Sequence, residues 1–293
     1  MTASRVSTST RLEIQKLSQL PAIPLVAQEL LEVFADGQLD VQRIAVVIRR
    51  DPALLARLVG LANSAYFGYP VPVTTVEDAI FKVLGINIAR SLAFSVVLAG
   101  SLSTRDCTNF QLDRYWTRAM VTATLAQQLA GQIENAPPAL ANDAYLAGFI
   151  HNIGLLVLVY LYPAEMTWVF DRLAENPALN LSALLLDTFG ADHRQAGGWL
   201  ARKWHLPKFV VEVIEHHHDP DYAGEHPSLV RLVGFSSCWA SSLLKENIQS
   251  ANPQKLLAVG IAEDATKQTL AWMTGRYSEI AEMARLLAEN THG

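Results

Sequence analysis

The feature that most constrains this chain is the spacing of its apolar residues, which recur three and four positions apart almost from end to end. Val26, Leu30 and Val33 follow i, i+4, i+7; Val41, Ile44, Val47 and Ile48 repeat the pattern; Val210, Val213 and Ile214 lead to His217 on the same stripe. That period lays one apolar face along a helix, whereas a half-buried strand needs strict alternation, which no segment flanked by hairpin turns provides. Residues 157–160 form the one β-like run, and they read more simply as the continuation of a helix. The expected fold is therefore all-α, a multi-helix bundle. With 293 residues, 51% of them hydrophobic, the chain can bury one large core or two modest ones.

Start and stop signals cut the pattern into helices. Pro24 suits a first turn, and Asp36-Gly37 ends the helix it opens. Asp40 is placed to cap a second helix, and Asp51-Pro52 to open a third carrying Leu54, Leu55, Leu58 and Leu61. Thr74 with Glu77 forms an expected capping box ahead of Ala79, Ile80 and Val83, with Gly85 as the stop. A very apolar helix follows over 86–99. The next, 116–130, aligns Ala119, Ala123, Ala126 and Ala130 so that another helix can pack closely. A loop at 135–138 precedes Asp143, which opens a long helical stretch. Helices are further expected over 163–174 and 182–189, from the Asp192 cap (with Gln195 three on) to Trp204, and from Pro207 towards Asp219-Pro220. The last helix turns Ile280, Met283, Ala284 and Leu287 inward.

Charge and cysteine content exclude several classes of function. The chain carries 23 basic and 28 acidic side chains, a net charge of −5, and its one strongly basic spot is Arg49-Arg50. Phosphate-backbone recognition needs a clustered basic face, so nucleic acid is not an expected partner. Cys107 and Cys238 stand alone, without neighbours at metal-ligand spacing, which excludes a disulfide scaffold and a cysteine zinc site. With no signal-peptide pattern at the N-terminus, they suit a cytoplasmic protein. Residues 144–164 contain no Asp, Glu, Lys or Arg and are long enough to cross a bilayer. His151-Asn152 at the centre would be costly in lipid, and no Lys or Arg flanks the segment, so a buried helix rather than a membrane span is expected.

The histidines form the chemical signal. His151 shares a face with Ala144, Ala147, Gly148 and Leu155, small residues that bring a partner helix near. His193 lies in the first turn after Asp192. His217 continues an apolar stripe, His218 sits beside it, and His216 is expected to stack over Glu212 on the outer side. Taken singly, a histidine on an apolar face is more often a core residue than a ligand. Four inward histidines on three helices, however, match the way helical bundles build metal sites. The carboxylate that a hydrolytic divalent-metal site normally includes is missing from the set.

Several ordered motifs give the pattern a family likeness. His151-Asn152-Ile153-Gly154, the run Gly190-Ala191-Asp192-His193 with Lys203-Trp204-His205-Leu206-Pro207 behind it, His217-His218-Asp219-Pro220, and the N-terminal Asp51-Pro52-Ala53-Leu54 with Asn63-Ser64-Ala65-Tyr66 together resemble the HDOD family. These are non-catalytic relatives of the HD-type metal phosphohydrolases, used by bacteria as signalling output domains. In catalytic HD relatives an early-helix histidine, an adjacent His-Asp pair and a late Asp bind the metal. The resemblance implies that Arg118 stands at the early position, His151-Asn152 at the pair, and Ser237 near the late Asp. A positive charge then replaces one ligand, and Asn152 offers a carbonyl oxygen without charge, so turnover and a resident cofactor are not expected.

The Ser/Thr-rich start is expected to be a mobile tail over 1–11. The resemblance runs from about Leu17 to Pro220 and implies a domain over 12–220, with an N-terminal helical lobe (12–105) and a degenerate HD-like lobe (110–220). Residues 221–293 are expected to form a C-terminal helical extension packed on the HD-like lobe. Expected partners are signalling proteins: a sensor kinase, a response regulator or a cyclic-dinucleotide enzyme. His193, His217 and His218, with Asp192 or Asp219 supplying charge, leave a weakly bound divalent ion as the residual metal expectation. The alternative is a divergent metal-dependent phosphohydrolase acting on a nucleotide, with His151, His193, His217 and His218 as ligands and Arg118 on the phosphate. A third reading makes the same cleft a small-molecule sensor. Gly68-Tyr69-Pro70 matches the HD-GYP signature but lies far ahead of His151, and so reads as a turn; Gly197-Gly198 reads as close helix packing.

Overall fold

Capping chemistry sets many of the helix starts. In the computed structural model, which describes residues 20–35, 40–219, 221–244 and 251–289, Asp40 accepts from the Gln42 amide and Asp51 from the Ala53 and Leu54 amides. The N-terminal tail, the Asp36-Gly37 stop and Pro220 lie outside the described residues. The first helices are α1 (Leu25–Ala35), α2 (Val41–Arg49) and α3 (Pro52–Ala62). The fourth start differs from expectation: Thr75, not Thr74, caps α4 (Val76–Asp78), its hydroxyl accepting from the Asp78 amide. The Asn63 side chain explains the shift, because it holds both the amide and the carbonyl of Val73 at 2.8 Å and keeps the chain extended there. The turn then widens into a π-helical stretch, Ala79–Leu84, which buries Ile80 and Leu84 and leaves Val83 half-buried before Gly85 stops it at φ 73°.

Helix α5 (Ile86–Gly100) joins this lobe to the rest of the bundle, packing on both α1 and the next but one helix, α7 (Leu140–Ile150). Between them in sequence is α6 (Leu112–Ala130), the axis of the molecule. Its alanine face is buried as expected, and Gly148 of α7 lies directly against the Ala123 backbone. The uncharged stretch does not form one helix. It breaks at His151-Asn152 into α7 and α8 (Ile153–Leu161). The His151 imidazole donates to the Gly148 carbonyl at 2.7 Å, and the Leu155 amide turns back to Asn152. Residues Leu140–Leu161 are apolar enough to cross a membrane by length and composition, yet most of the stretch is buried within the protein.

The remaining helices are α9 (Pro163–Glu175), α10 (Leu181–Phe189), α11 (His193–Lys203), α12 (Lys208–His216), α13 (Pro227–Leu243) and α14 (Glu263–Glu289), with a 3-10 segment, Pro253–Val259, before the last. Among the described residues every regular element is helical. Asp192 and Gln195 form the expected reciprocal capping box on α11. Helices α8 and α11 meet at their glycines: a β-carbon on Gly154 would collide with the His193 carbonyl and the Gly197 amide. Helices α13 and α14 both pack on α6, and Ile280, Met283, Ala284 and Leu287 face inward. Burial of Ile280, Met283 and Leu287 contributes roughly 1.5–3 kcal/mol each.

The motif residues of the first lobe act as joints. Arg276 of α14 donates to the Tyr66 carbonyl and lays its guanidinium 4.5 Å from the Tyr66 ring centroid. Lys203 and Trp204, from the end of α11, donate to the carbonyls of Leu20 and Pro21 at 2.7 and 3.0 Å.

A histidine-lined cavity as the candidate functional site

The break between α7 and α8 turns His151 into the bundle interior, where it is 1% exposed. Its Nδ1 donates to the Gly148 carbonyl, so in the neutral ring Nε2 carries the lone pair and accepts from the Ser237 hydroxyl of α13 at 3.0 Å. His217, at the end of α12, is held the same way, its Nδ1 2.9 Å from the Val213 carbonyl. The two rings meet edge to face with centroids 5.0 Å apart. His218 follows, 4.3 Å from the His217 ring and 6.0 Å from that of His193, which opens α11. His193 is 5% exposed, and its Nδ1 is buried without a hydrogen-bond partner.

A cavity of about 630 Å³ opens over this cluster. Arg118, Asn152, His193, His217, His218 and Ser237 all line it; His151 lies behind Ser237 and does not. Arg118 reaches the cavity from α6 and donates to the Ser241 hydroxyl. Ser237, which the resemblance sets near the late metal-binding Asp, lies against His151. Sequence reading missed the far wall: Arg231 and Phe235 of α13, and Lys255 and Leu256 of the 3-10 segment. No local signal marks Lys255, since only the return of the chain over α13 brings it to the cavity.

The electrostatics are those of a neutral histidine cluster beside a fixed cation. Burial, followed by the charge of Arg118, pushes His151 down to about 3. Burial and the neighbouring His218 bring His193 to about 3 as well. His217 is held well below its ordinary value by burial, and His218 falls to about 4 through burial and the charge of Arg194. Burial alone would raise the Asp192 carboxyl, but the hydrogen bond from Arg194 and the neighbouring His193 outweigh it and hold the group charged. Asp192 is thus occupied by Arg194 and by the α11 cap, whereas Asp219 is exposed in the cavity lining.

One expected placement is corrected. His216 does lie towards the outside, but its ring stacks on Tyr222 with centroids 4.6 Å apart, because the loop after α12 folds back over it. The Glu212 carboxylate pairs instead with His226 at 2.8 Å. Glu212, Glu225 and His226 bring their ligand atoms within 4.8 Å of one another, and among the described residues no comparable group of three joins the cavity histidines.

The comparisons with known proteins fit this architecture. A protein of Treponema pallidum described as uncharacterized is 28% identical over 246 residues, 83% of this chain and 46% of its own length. The solved structure of a "Putative signal transduction protein" from Marinobacter aquaeolei VT8 superposes with a TM-score of 0.82 at 25% identity, covering 95% of this chain and 61% of that one. The chain therefore spans about half to three fifths of the length of these two relatives. An HDOD domain protein of unknown function from Geobacter sulfurreducens superposes with a TM-score of 0.75 at 22% identity, covering 96% of this chain and 99% of its own. The family model for the HDOD domain matches residues 20–220, and the chain belongs to the HDOD family.

Proposed function

We propose that this chain is a cytoplasmic signal-transduction output domain that acts by binding, without turnover, and that its HD-type metal site is degenerate. Membership of the HDOD family and likeness to a protein described as a signal transduction protein support a regulatory role. The observation that carries the finer reading is the state of His151. A metal ligand must offer a free nitrogen lone pair, and here one ring nitrogen donates to Gly148 while the other accepts from Ser237. Arg118 adds a positive charge beside the ring, and Asn152 has no charge to offset a cation. The donor set therefore does not fit a hydrolytic divalent metal. The output passes instead through a helical surface offered to a signalling protein such as a sensor kinase, a response regulator or a cyclic-dinucleotide enzyme.

Elemental analysis of the purified chain tests this directly. Far less than one equivalent of Mn, Fe, Ni or Zn is expected in the native protein. Arg118→His, Asn152→Asp, Ser237→Asp, which rebuilds the ligand set around His151, should gain metal. Stoichiometric metal in the native chain, together with phosphodiester hydrolysis that falls on His151→Ala, would sink the proposal.

A further inference from the structure

Three cationic side chains from three elements face the one cavity: Arg118 of α6, Arg231 of α13 and Lys255 of the 3-10 segment. Among the described residues neither Arg231 nor Lys255 forms an ion pair. The two lining carboxylates, Asp219 and Asp221, are exposed on the loop after α12, where water and salt screen them. Arg118 is half-buried among the histidines, so its charge acts through a medium of lower dielectric. Beside it the unpartnered Nδ1 belongs to His193, a ring that is 5% exposed and lines the cavity. The space, about 630 Å³, is far larger than a bare ion needs and falls within the range of small-molecule sites. Leu181, Phe235 and Leu256 give it an apolar wall.

We propose that the cavity binds a small organic anion whose oxyanion head, phosphoryl or carboxylate, seats against Arg118 and His193 while its body contacts the wall formed by Phe235 and Leu256. The planar guanidinium can give two parallel hydrogen bonds to either head. Arg231 and Lys255 contribute further positive charge, and the exposed Asp219 and Asp221 accept from hydroxyl or amino groups on the ligand body. This ligand deepens the regulatory reading by supplying its input, and rests on that reading for its biological meaning only.

Titration calorimetry of the full chain with glycerol 3-phosphate and with succinate, against sodium chloride at matched ionic strength, tests the site. Saturable binding of at least one probe is expected, and the tighter of the two identifies the head group. Arg118→Gln should weaken it at least about tenfold, the loss of a charge-assisted pair. Lys255→Gln, at an exposed position that cannot disturb the core, should weaken it about threefold through lost attraction alone, and carries the test if the first variant does not fold. Absence of saturable binding by both probes, or affinity unchanged in the folded variants, overturns the proposal. Phosphorus NMR of the glycerol 3-phosphate sample separates the two claims. An intact ester supports binding without turnover, whereas release of inorganic phosphate on binding would end the non-catalytic reading and leave the anion site standing.

Discussion

The two halves of the histidine cluster are built on opposite principles. His151 and His217 are fixed by their rings, each with Nδ1 on a backbone carbonyl of the helix that ends there, and His151 with Nε2 on Ser237 besides. His193 is fixed by its backbone: its carbonyl sits against Gly154, the two amides after it, Arg194 and Gln195, are capped by Asp192, and its ring Nδ1 has no hydrogen-bond partner. The inner rings bond the carbonyls of the helices they end, and His151 ties α7 to α13 through Ser237, while His193 is positioned by packing and leaves one ring nitrogen unbonded. Rings with bonded nitrogens and a ring with an unbonded one thus lie within one cluster, and burial alone does not separate them. Hydrogen-bond satisfaction does.

The strongest way to break the contrast is at the seam. Gly154→Ala places a methyl group where the His193 carbonyl and Gly197 amide already lie, and rigid backbone on both sides cannot yield as a flexible side chain would. Loss of more than about 3 kcal/mol is expected, read as a lowered urea midpoint or failure to accumulate as folded protein. A midpoint close to that of the native chain would show that the two helices can part at this seam without loss, and that backbone packing does not position His193.

Removing the rings themselves sharpens the comparison at smaller scale. His151→Ala leaves the Gly148 carbonyl and the Ser237 hydroxyl buried without partners, and empties a site that is 1% exposed. It should cost about 2–3 kcal/mol at neutral pH. His193→Ala removes contacts but also an unsatisfied nitrogen, so its cost should be smaller, about 1 kcal/mol. Equal losses in denaturant unfolding would refute the division of the cluster.

The contrast also marks what the sequence makes legible. Caps at Asp40, Asp51 and Asp192 are readable because a capping side chain acts within three residues of itself. The inward turn of His151, His193 and His217 is readable because helical periodicity points them there. Local pattern points to Thr74 as a cap and the structure uses Thr75, because Asn63 clamps Val73 from ten residues away. The break at His151-Asn152 carries neither Pro nor Gly as a warning; an imidazole bonding its own helix makes it. Lys255 and Arg231 reach the cavity through tertiary return of the chain, which leaves no trace in local pattern.

Acid titration is the mildest probe, and it cuts across the division. Burial holds His151 and His193 at about 3 against an ordinary value of 6.5, and His218 at about 4. Between these limits the unfolded chain takes up protons that the folded chain refuses. The stability these neutral rings preserve is complete above about pH 6.5 and is lost as pH falls towards their folded values. At pH 5.5 the loss is on the order of 1 kcal/mol per buried ring. The melting temperature should be flat above pH 7 and fall below it. In His151→Ala and His193→Ala that fall should be shallower to a similar degree, although the two variants differ at neutral pH. Both rings are refused protons for the same reason, desolvation, whichever half they belong to. A steep acid limb retained by one variant and flattened in the other would show that the ring removed in the first takes up its proton as readily folded as unfolded, and its place in the comparison would have to be redrawn.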